Sequence, residues 1–372
     1  MSNYILRHKN IDVAVLDLEP SGFYVKKINV KDSPHFPYGV DHDGEDLRNW
    51  WISRIIPASR DGIDICLREN KLSGVNELAL GSMGLNLTDQ YWIVREQKQE
   101  LLWEDVNFFD NDFTYEEGQL RFTPKVGNSV SVVSPPDRST GGQLPKRWTI
   151  ENGTRYLIKS GITKPFMEPF YEKIGSVICR RLGIEHVDYS IVTENGYPAC
   201  KCACFVDRNT EFIPAYYLLR NSGGIEGRQL YDYSIEIFTE AGIPNSRRKI
   251  DEMIVADYLL INTDRHTNNF GVIRNADTLR PLSFAPLFDS ERSMWQIWQG
   301  TNSQTFCKTH DEQIRLVSDF TWYDPESLAM VVDEVEKIMG ENNFGNPADS
   351  KEELLAFSKR VETLNALAAE IG

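Results

Sequence analysis

Apolar and polar residues alternate along the first thirty positions, a period of two that is typical of β-strands. Val13 and Val15 alternate with acidic residues, EPSG supplies turn residues, and FYVKKINV resumes the alternation, so a β-hairpin is predicted. Between about residues 44 and 82 the apolar positions instead predict three short helices, in RNWWISRII, GIDICLREN and VNELALGS. QYWIVREQ then returns to a strand pattern.

The middle of the chain begins with a segment rich in proline, glycine and serine, residues 124–147, which predicts a boundary and a flexible loop. Asn152-Gly153 predicts a tight hairpin turn between two strands. A helix is predicted from about Pro169 to Gly183, because apolar residues recur there on one face. Two further strands are predicted in HVDYSIVT and YPACKCACFV.

From about residue 226 the pattern becomes helical. DPESLAMVVDEVEKIMG predicts one helix with an Asp324 cap, Pro325 at its first position and Gly340 at its end. SKEELLAFSKRVETLNALAAEIG predicts a last, amphipathic helix. Strands first and helices second predict an α+β protein with a β-rich N-terminal lobe and a mostly helical C-terminal lobe. The expected divisions are an N-terminal subdomain at 1–120, an N-terminal lobe at 121–206 and a C-terminal lobe at 207–372.

Composition narrows the function classes. Hydrophobic residues at 41% and aromatic residues at 11% are typical of a globular protein. The formal charge of −15 argues against broad attraction to nucleic acid or to anionic membranes. The first residues contain no signal-peptide-like apolar stretch, and no run of about 18 apolar residues occurs. We expect a soluble, cytoplasmic protein with no direct nucleic-acid or membrane partner.

Three of the six cysteines form the cluster CKCAC, which resembles a metal motif. In a strand, however, these thiols lie on one face and spread over roughly 13 Å, at about 3.3 Å per residue. One tetrahedral zinc cannot gather all three, and no second Cys or His cluster follows. Small residues packed on a sheet, in a reducing compartment, are the better interpretation.

The strongest chemical signal is the polar turn in ADYLLINTDRHTNNFGVI, residues 256–273, where Asp264 and Asn269 stand five residues apart. FGVIR, NADT and LRPLSF then predict a hairpin, which returns Asp289 of APLFDS towards Asn269. Amide and carboxylate oxygens are ligands that hard divalent cations prefer. Asp264 would remain free to orient or deprotonate a hydroxyl, as in protein-kinase chemistry. The alternative is a polar helix exit that makes only local hydrogen bonds.

Two upstream features match the other requirements of phosphoryl transfer from a nucleotide. Lys159 lies on the predicted strand YLIKSG, and the next helix carries Glu172, so an ion pair is feasible; a structural surface bridge is the alternative. STGGQLPK, residues 139–146, offers backbone amides for phosphates, or is an ordinary linker. His266 is interpreted as a structural brace of the turn, in preference to a catalytic base. Asp257 either bonds this turn or is solvated.

NTDRHTNNFGVI followed by APLFD resembles the HipA-like serine/threonine kinase family, including its shorter CtkA-type members, over roughly residues 120–340. The resemblance implies a bilobal kinase-like fold and phosphorylation of protein serine or threonine with ATP and Mg²⁺. It implies Asp264 as the catalytic residue and Asn269 and Asp289 as magnesium ligands. It also implies phosphorylation of Ser139 or Thr140 as an off-switch. The residues implied to bind the nucleotide are Ser139, Thr140, Gly141, Gly142, Lys146, Lys159, Glu172, Phe205, Val206 and Asp207.

Two departures from the family pattern stand out. Ser290-Glu291 follows Asp289 where members often have a glycine nearby, and the N-terminal third matches only loosely.

We expect a protein kinase with a protein substrate, and possible membership of a toxin–antitoxin pair with an antitoxin partner. A kinase or nucleotidyl transferase for a lipid or small molecule is the first alternative, since these sites say little about the acceptor. A non-catalytic nucleotide-binding module is the second.

Overall fold

The structure is a computed structural model that describes residues 2–19, 24–55, 67–68, 71–111, 115–116, 119–120, 146–161, 166–194, 196–294, 305–342 and 347–371. The chain forms two compact units. The first comprises Met1–Leu157, Val206–Glu211 and Asn275–Arg280, and the second comprises Ile158–Phe205, Phe212–Arg274 and Pro281–Gly372. The three-part division expected from the sequence stays a prediction.

A four-stranded antiparallel sheet is the centre of the first unit, with strand order β3-β2-β1-β4. Leu16 and Trp92 are fully buried although they lie on opposite faces, so both faces of this sheet carry buried apolar residues. The predicted hairpin and the predicted QYWIVREQ strand are therefore confirmed. The strands are β1 (Ser2–His8), β2 (Ile11–Glu19), β3 (Tyr24–Val30) and β4 (Tyr91–Arg95).

Three short helices also belong to the first unit. The first begins after Asp43, whose side chain accepts hydrogen bonds from the Glu45 and Asp46 amides, and it buries Trp51. Such a cap contributes about 1 kcal/mol. The predicted helices in RNWWISRII and VNELALGS are confirmed, whereas most of GIDICLREN lies outside the described residues. The helices are α1 (Gly44–Ser53), α2 (Val75–Gly81) and α3 (Trp103–Val106), and the strands that follow are β5 (Tyr115–Glu116), β6 (Gln119–Leu120) and β7 (Lys146–Glu151).

A second four-stranded sheet has the order β7-β8-β10-β9. The predicted turn at Asn152-Gly153 is confirmed, since both residues have positive φ, 51° and 78°, as a two-residue hairpin loop requires. The helix predicted between β8 and β9 is also confirmed, and it buries Phe170, Ile174 and Ile178 in the core of the second unit. These elements are β8 (Thr154–Ser160), α4 (Glu168–Arg181), β9 (Ser190–Glu194) and β10 (Tyr197–Ala203).

The CKCAC cysteines lie on β10 and just beyond it, as the sheet interpretation requires. Cys200 and Cys202 are buried, Cys204 is partly buried, and none of the three forms a disulfide with another described residue. Burial raises the pKa of the Cys202 thiol to about 12. These residues therefore behave as small core side chains.

The rest of the second unit is mainly helical. A three-stranded sheet of order β11-β12-β13 interrupts it, and Gly271 opens the middle strand. A Cβ at Gly271 would lie 2.1 Å from the Ile213 carbonyl oxygen, so only glycine allows this strand to approach β11. The elements are β11 (Thr210–Pro214), α5 (Ala215–Leu219), α6 (Gly227–Glu240), α7 (Ser246–Leu260), β12 (Gly271–Asn275), β13 (Pro281–Phe284), α8 (His310–Ile314), α9 (Val331–Gly340) and α10 (Pro347–Ile371).

One predicted helix is wrong in its extent. DPESLAMVVDEVEKIMG forms a 3₁₀ turn at Pro325–Leu328 and then α9, separated by Met330 with φ 63°. The cause is a side chain distant in sequence: Arg181 Nη1 donates to the Ser327 and Ala329 carbonyl oxygens. These carbonyls are thereby removed from any continuous helix.

Candidate active site

The polar turn begins where α7 ends, and Ile261 redirects the chain there. Ile261 has φ 54°, a left-handed conformation that is strained for a β-branched residue. Its amide still donates to the carbonyl oxygens of Asp257 and Tyr258 in the last helical turn. The Asn262 amide donates to the Asp257 carbonyl oxygen at 3.0 Å. These bonds terminate the helix and hold the next residues close to it.

Asn262 then orients Asp264 through its side chain. The Asn262 amide nitrogen donates to Asp257 Oδ1 at 2.9 Å, and its amide oxygen accepts from the Asp264 backbone N–H at 3.0 Å. His310 Nε2 lies 2.8 Å from the Asn262 carbonyl oxygen. Burial lowers the pKa of His310, so the neutral ring donates this bond. Asn262 and His310 were not among the predicted site residues.

Arg265 is fully buried and joins both ends of the hairpin. Its guanidinium pairs with Asp257, Nε lying 3.0 Å from Oδ2 and Nη2 lying 3.0 Å from Oδ1. Its Nη1 donates to the carbonyl oxygens of Asn269, at 2.8 Å, and Phe288, at 2.6 Å. Arg265 Nη1 therefore holds Asn269, in the polar turn, close to Phe288, the residue before Asp289. The predicted hairpin is confirmed, and Asp257 is a buried partner of the turn.

The Asp264 carboxylate is only partly exposed, and it faces a cation. Arg292 Nε lies 3.5 Å from Asp264 Oδ2. Burial raises the pKa of Asp264, an effect that the charges of Arg292 and His266 oppose and that the Asp289 carboxylate reinforces. The backbone oxygen of Asp264 accepts from Asn269 Nδ2 at 3.0 Å. His266 makes a local bond, accepting the Asn268 N–H at 3.2 Å, as a structural brace would.

Lys159 and Glu172 form a buried ion pair, so the surface-bridge alternative is wrong. Lys159 Nζ lies 2.5 Å from Glu172 Oε1, 2.7 Å from Asp289 Oδ1 and 2.8 Å from Glu291 Oε2. The side chains of Lys159 and Glu172 are 4% and 1% exposed. Burial alone would lower the pKa of Lys159, but the three carboxylates outweigh it and hold that pKa well above its usual value.

The segment that carries Asp289 is attached to the Glu172 helix. Ser290 N–H donates to Glu172 Oε2 at 2.8 Å, and Asp289 N–H points to the Tyr189 hydroxyl at 3.4 Å. Asp289 itself has φ 62°, a conformation that aspartate tolerates better than most residues. Glu172 therefore accepts a hydrogen bond from a charged donor and from a backbone amide, which favours its ionised form although burial raises its pKa.

Glu172, Asp289 and Glu291 form an oxygen-rich cluster. Each offers a carboxylate oxygen, and these three atoms lie within 4.8 Å of one another. An all-oxygen donor set suits a hard divalent cation such as Mg²⁺. Glu291 was not among the predicted site residues, because Ser290-Glu291 stands where family members often have a glycine nearby. A second acid two positions after Asp289 was the signal that could have found it.

The other nucleotide-binding candidates have different places. Phe205 stacks on Phe288, with ring centroids 5.0 Å apart, and contacts Phe212 edge-on at 5.6 Å. Val206 is buried, and the exposed Asp207 carboxylate accepts from the Asn209 amide in a turn. Lys146, at the start of β7, is partly buried. The loop residues Ser139, Thr140, Gly141 and Gly142 lie outside the described residues.

Comparisons with known proteins identify the fold. No family model matches the sequence, and no curated protein matches it. Among solved structures, HipA of the Shewanella oneidensis MR-1 toxin–antitoxin system, determined with HipB and operator DNA, is 14% identical, with a TM-score of 0.56. The match covers 99% of each chain. The chain has a HipA-like fold.

The HipA-like fold confirms the predicted α+β, kinase-like class and extends over the N-terminal third, where the sequence match is loose. The proinflammatory kinase CtkA of Helicobacter pylori also matches, at 17% identity and a TM-score of 0.44, over 60% of this chain and 94% of that one. No helix within the described part of the chain has the length and apolar character needed to cross a membrane.

Proposed function

We propose that the protein is a serine/threonine protein kinase of HipA-like type that transfers the γ-phosphoryl group of ATP to a protein hydroxyl. The observation that carries this proposal is that the second unit contains both a fixed polar turn and a buried lysine that contacts two carboxylates. Arg265 holds the Asn269 and Phe288 carbonyls together, and Lys159 contacts both Glu172 and Asp289. Phosphoryl transfer depends mainly on such positioning and on charge neutralisation.

Asp264 is proposed as the catalytic residue. Its carboxylate accepts the proton of the acceptor hydroxyl as that oxygen attacks the γ-phosphorus and the bond to the β–γ bridging oxygen breaks. The raised pKa of Asp264 makes it a better proton acceptor near neutral pH than an exposed aspartate. Arg292, 3.5 Å from the carboxylate, limits that rise and fixes its orientation.

Asn269 and Asp289 are proposed as the magnesium ligands, and the donor chemistry fits. Asn269 uses its amide nitrogen to bond the Asp264 carbonyl, which leaves its amide oxygen as the ligand atom. When bound, Mg²⁺ supplies charge neutralisation at the phosphates. Lys159 is proposed to contact the phosphates, with Glu172 holding its ammonium. The proposed nucleotide contacts at Ser139–Lys146 and Phe205–Asp207 rest on the family resemblance.

Transfer of labelled phosphate tests the proposal. Wild-type protein with Mg²⁺ and γ-labelled ATP should label itself or a protein from an extract, at serine or threonine. Asp264→Asn and Asp289→Asn should each abolish labelling, whereas Asp333→Asn, at an exposed position on α9, should not. If both site variants label as the wild type does, the assignment is wrong. Transfer of AMP in place of phosphate would identify a nucleotidyl transferase.

An antitoxin partner is proposed on the fold alone. The matching HipA structure contains HipB and operator DNA. We propose that this chain also binds a protein partner. Stoichiometric recovery of one protein with the tagged chain from its native organism tests this proposal. The expectation of no direct nucleic-acid partner is not supported, because the matching HipA structure was determined with operator DNA.

A further inference from the structure

A corner of the first unit's sheet binds two segments that lie far away in sequence. His8 ends β1, Lys9 occupies the following turn with φ 48°, and Gln90 immediately precedes β4. The Lys9 N–H donates to the Gln90 carbonyl oxygen at 3.0 Å, which fastens the three residues together. We call His8, Lys9 and Gln90 the corner.

The first bound segment is Val206–Glu211, which comprises the linker after β10 and the first two residues of β11. Gln90 Nε2 donates to the carbonyl oxygens of Asp207 and Thr210, both at 2.9 Å. Glu211 Oε1 accepts from the Gln90 backbone N–H at 2.9 Å and lies 2.6 Å from His8 Nε2. Gln90, Glu211 and His8 are at most 1% exposed. The two bonds to Glu211 are therefore buried, where a lost partner costs most, whereas the Gln90 side-chain bonds to Asp207 and Thr210 are partly buried.

The second bound segment is Asn275–Arg280, the turn between β12 and β13. Lys9 Nζ lies 2.6 Å from Asp277 Oδ1, and the Ala276 N–H donates to the Asn209 carbonyl oxygen of the linker at 2.8 Å. This turn closes the hairpin whose two arms lead to Asn269 and Asp289. The corner consequently holds the linker directly, and it reaches the tip of this hairpin through the exposed Lys9–Asp277 pair and through the linker.

The ordinary alternative is that these contacts only stabilise the sheet. The ladder β3-β2-β1-β4 is complete without them, since β1 pairs fully with β2 and β4. The Gln90 side-chain nitrogen and the Glu211 carboxylate instead connect this sheet to the segment 206–211, which lies outside that ladder. A buried carboxylate is costly unless it is hydrogen-bonded, so its placement here specifies the linker's position.

We propose that the N-terminal sheet positions the nucleotide-binding linker and the metal-ligand hairpin through the His8–Lys9–Gln90 corner. The inference rests on the proposed function, in which Phe205–Asp207 lies against adenine. In this proposal His8, Lys9 and Gln90 are positioning residues, which act on the nucleotide through the linker. Gln90 fixes the backbone carbonyls of Asp207 and Thr210, so the position of the linker does not depend on a bound nucleotide.

The test combines amide hydrogen exchange with calorimetric binding of Mg–AMP-PNP by the full chain. Gln90→Ala removes the two side-chain hydrogen bonds to the Asp207 and Thr210 carbonyl oxygens, so amide exchange over residues 207–211 and 276 should rise about tenfold or more. The dissociation constant for Mg–AMP-PNP should rise about tenfold. In phosphate-transfer assays the KM for ATP should rise more than kcat falls.

Matched variants separate positioning from general stability. Glu211→Gln keeps an acceptor for the Gln90 N–H and should remain close to wild type, whereas Glu211→Ala should behave as Gln90→Ala does. Asn10→Ala is the control, because Asn10 lies in the same turn and its side chain bonds Glu104 and the Trp103 amide, both outside the two bound segments. It should change neither linker exchange nor nucleotide affinity.

Each outcome decides the inference. Unchanged exchange over 207–211 in Gln90→Ala overturns it, whatever the nucleotide result. Faster exchange with unaltered Mg–AMP-PNP affinity also overturns it, because the corner would then hold the linker without positioning the nucleotide. A wild type that binds no Mg–AMP-PNP overturns the proposed function and this inference together. Faster exchange with weaker binding, restored in Glu211→Gln relative to Glu211→Ala, supports it.

Discussion

Lys159 Nζ lies 2.5 Å from Glu172 Oε1, with both side chains buried. Removing one partner of such a pair leaves an uncompensated buried charge, which typically costs about 3–5 kcal/mol. We predict that Lys159→Met lowers the free energy of unfolding by about that amount, measured by urea denaturation. The double variant Lys159→Met with Glu172→Gln should lose less stability than the single variant. A larger loss in the double variant would show that the pair does not act as a unit.

Glu291 restrains Lys159, because its carboxylate lies 2.8 Å from the ammonium that should contact phosphate. Glu291→Gln removes one negative charge near the proposed triphosphate site, worth about 1 kcal/mol or roughly fivefold in affinity. We predict correspondingly tighter Mg–ATP binding by calorimetry. Glu185→Gln, at a side chain 57% exposed, is the control and should bind as the wild type does. Weaker Mg–ATP binding by Glu291→Gln would instead identify Glu291 as a metal ligand.

Arg265 holds the site through geometry as well as charge. A lysine at this position keeps the positive charge beside Asp257 but cannot also reach the Asn269 and Phe288 carbonyls, because it lacks the planar fork. We predict that Arg265→Lys lowers phosphate transfer at least about tenfold and stability by about 2 kcal/mol, from two lost hydrogen bonds. Arg180→Lys, at an exposed position on α4, should change neither. Wild-type activity in Arg265→Lys would refute the role of the fork.

Asp251 makes the stability of the fold depend on pH. It is buried, Tyr231 donates to its Oδ1 at 2.6 Å, and Oδ2 has no hydrogen-bond partner among the described residues. Burial raises the pKa of Asp251 to about 6, so the native state binds this proton more tightly than the unfolded state does. Stability is therefore lost as the pH rises from about 4 to about 6, by about 3 kcal/mol.

Asp251→Asn cannot ionise, so it tests this dependence directly. We predict that the variant gains stability relative to wild type as the pH is raised from 4 to 7, in urea denaturation at each pH. A stability difference that stays constant over that range, or that changes in the opposite direction, would contradict the assignment.

Local patterns predicted the parts of the fold that depend on nearby residues. The Asn152-Gly153 turn, the helix before Gly183 and the β12–β13 hairpin follow from short-range signals, and the structure has them. The break before α9 does not follow from local sequence. It depends on Arg181, well over a hundred positions earlier, taking the carbonyls of Ser327 and Ala329.

The candidate site divides in the same way. Spacing predicted the Lys159–Glu172 pair, but the depth at which it is buried depends on the helices packed around it. The bond from Arg265 to the Phe288 carbonyl joins residues 23 positions apart and forms only in the folded hairpin. The local pattern of acids and His266 therefore does not predict it. The corner contacts of Gln90 connect residues more than a hundred positions apart, beyond the reach of any local pattern.

Binding of Mn²⁺ with AMP-PNP, followed by electron paramagnetic resonance, tests most directly whether Asn269 and Asp289 hold one metal ion while Asp264 stays free. We predict that Asn269→Ala and Asp289→Ala each weaken Mn²⁺ binding at least about tenfold, a loss of about 1.4 kcal/mol or more. Asp264→Asn should change it by no more than about twofold. Wild-type Mn²⁺ affinity in both ligand variants, or an equal loss in Asp264→Asn, would contradict the account.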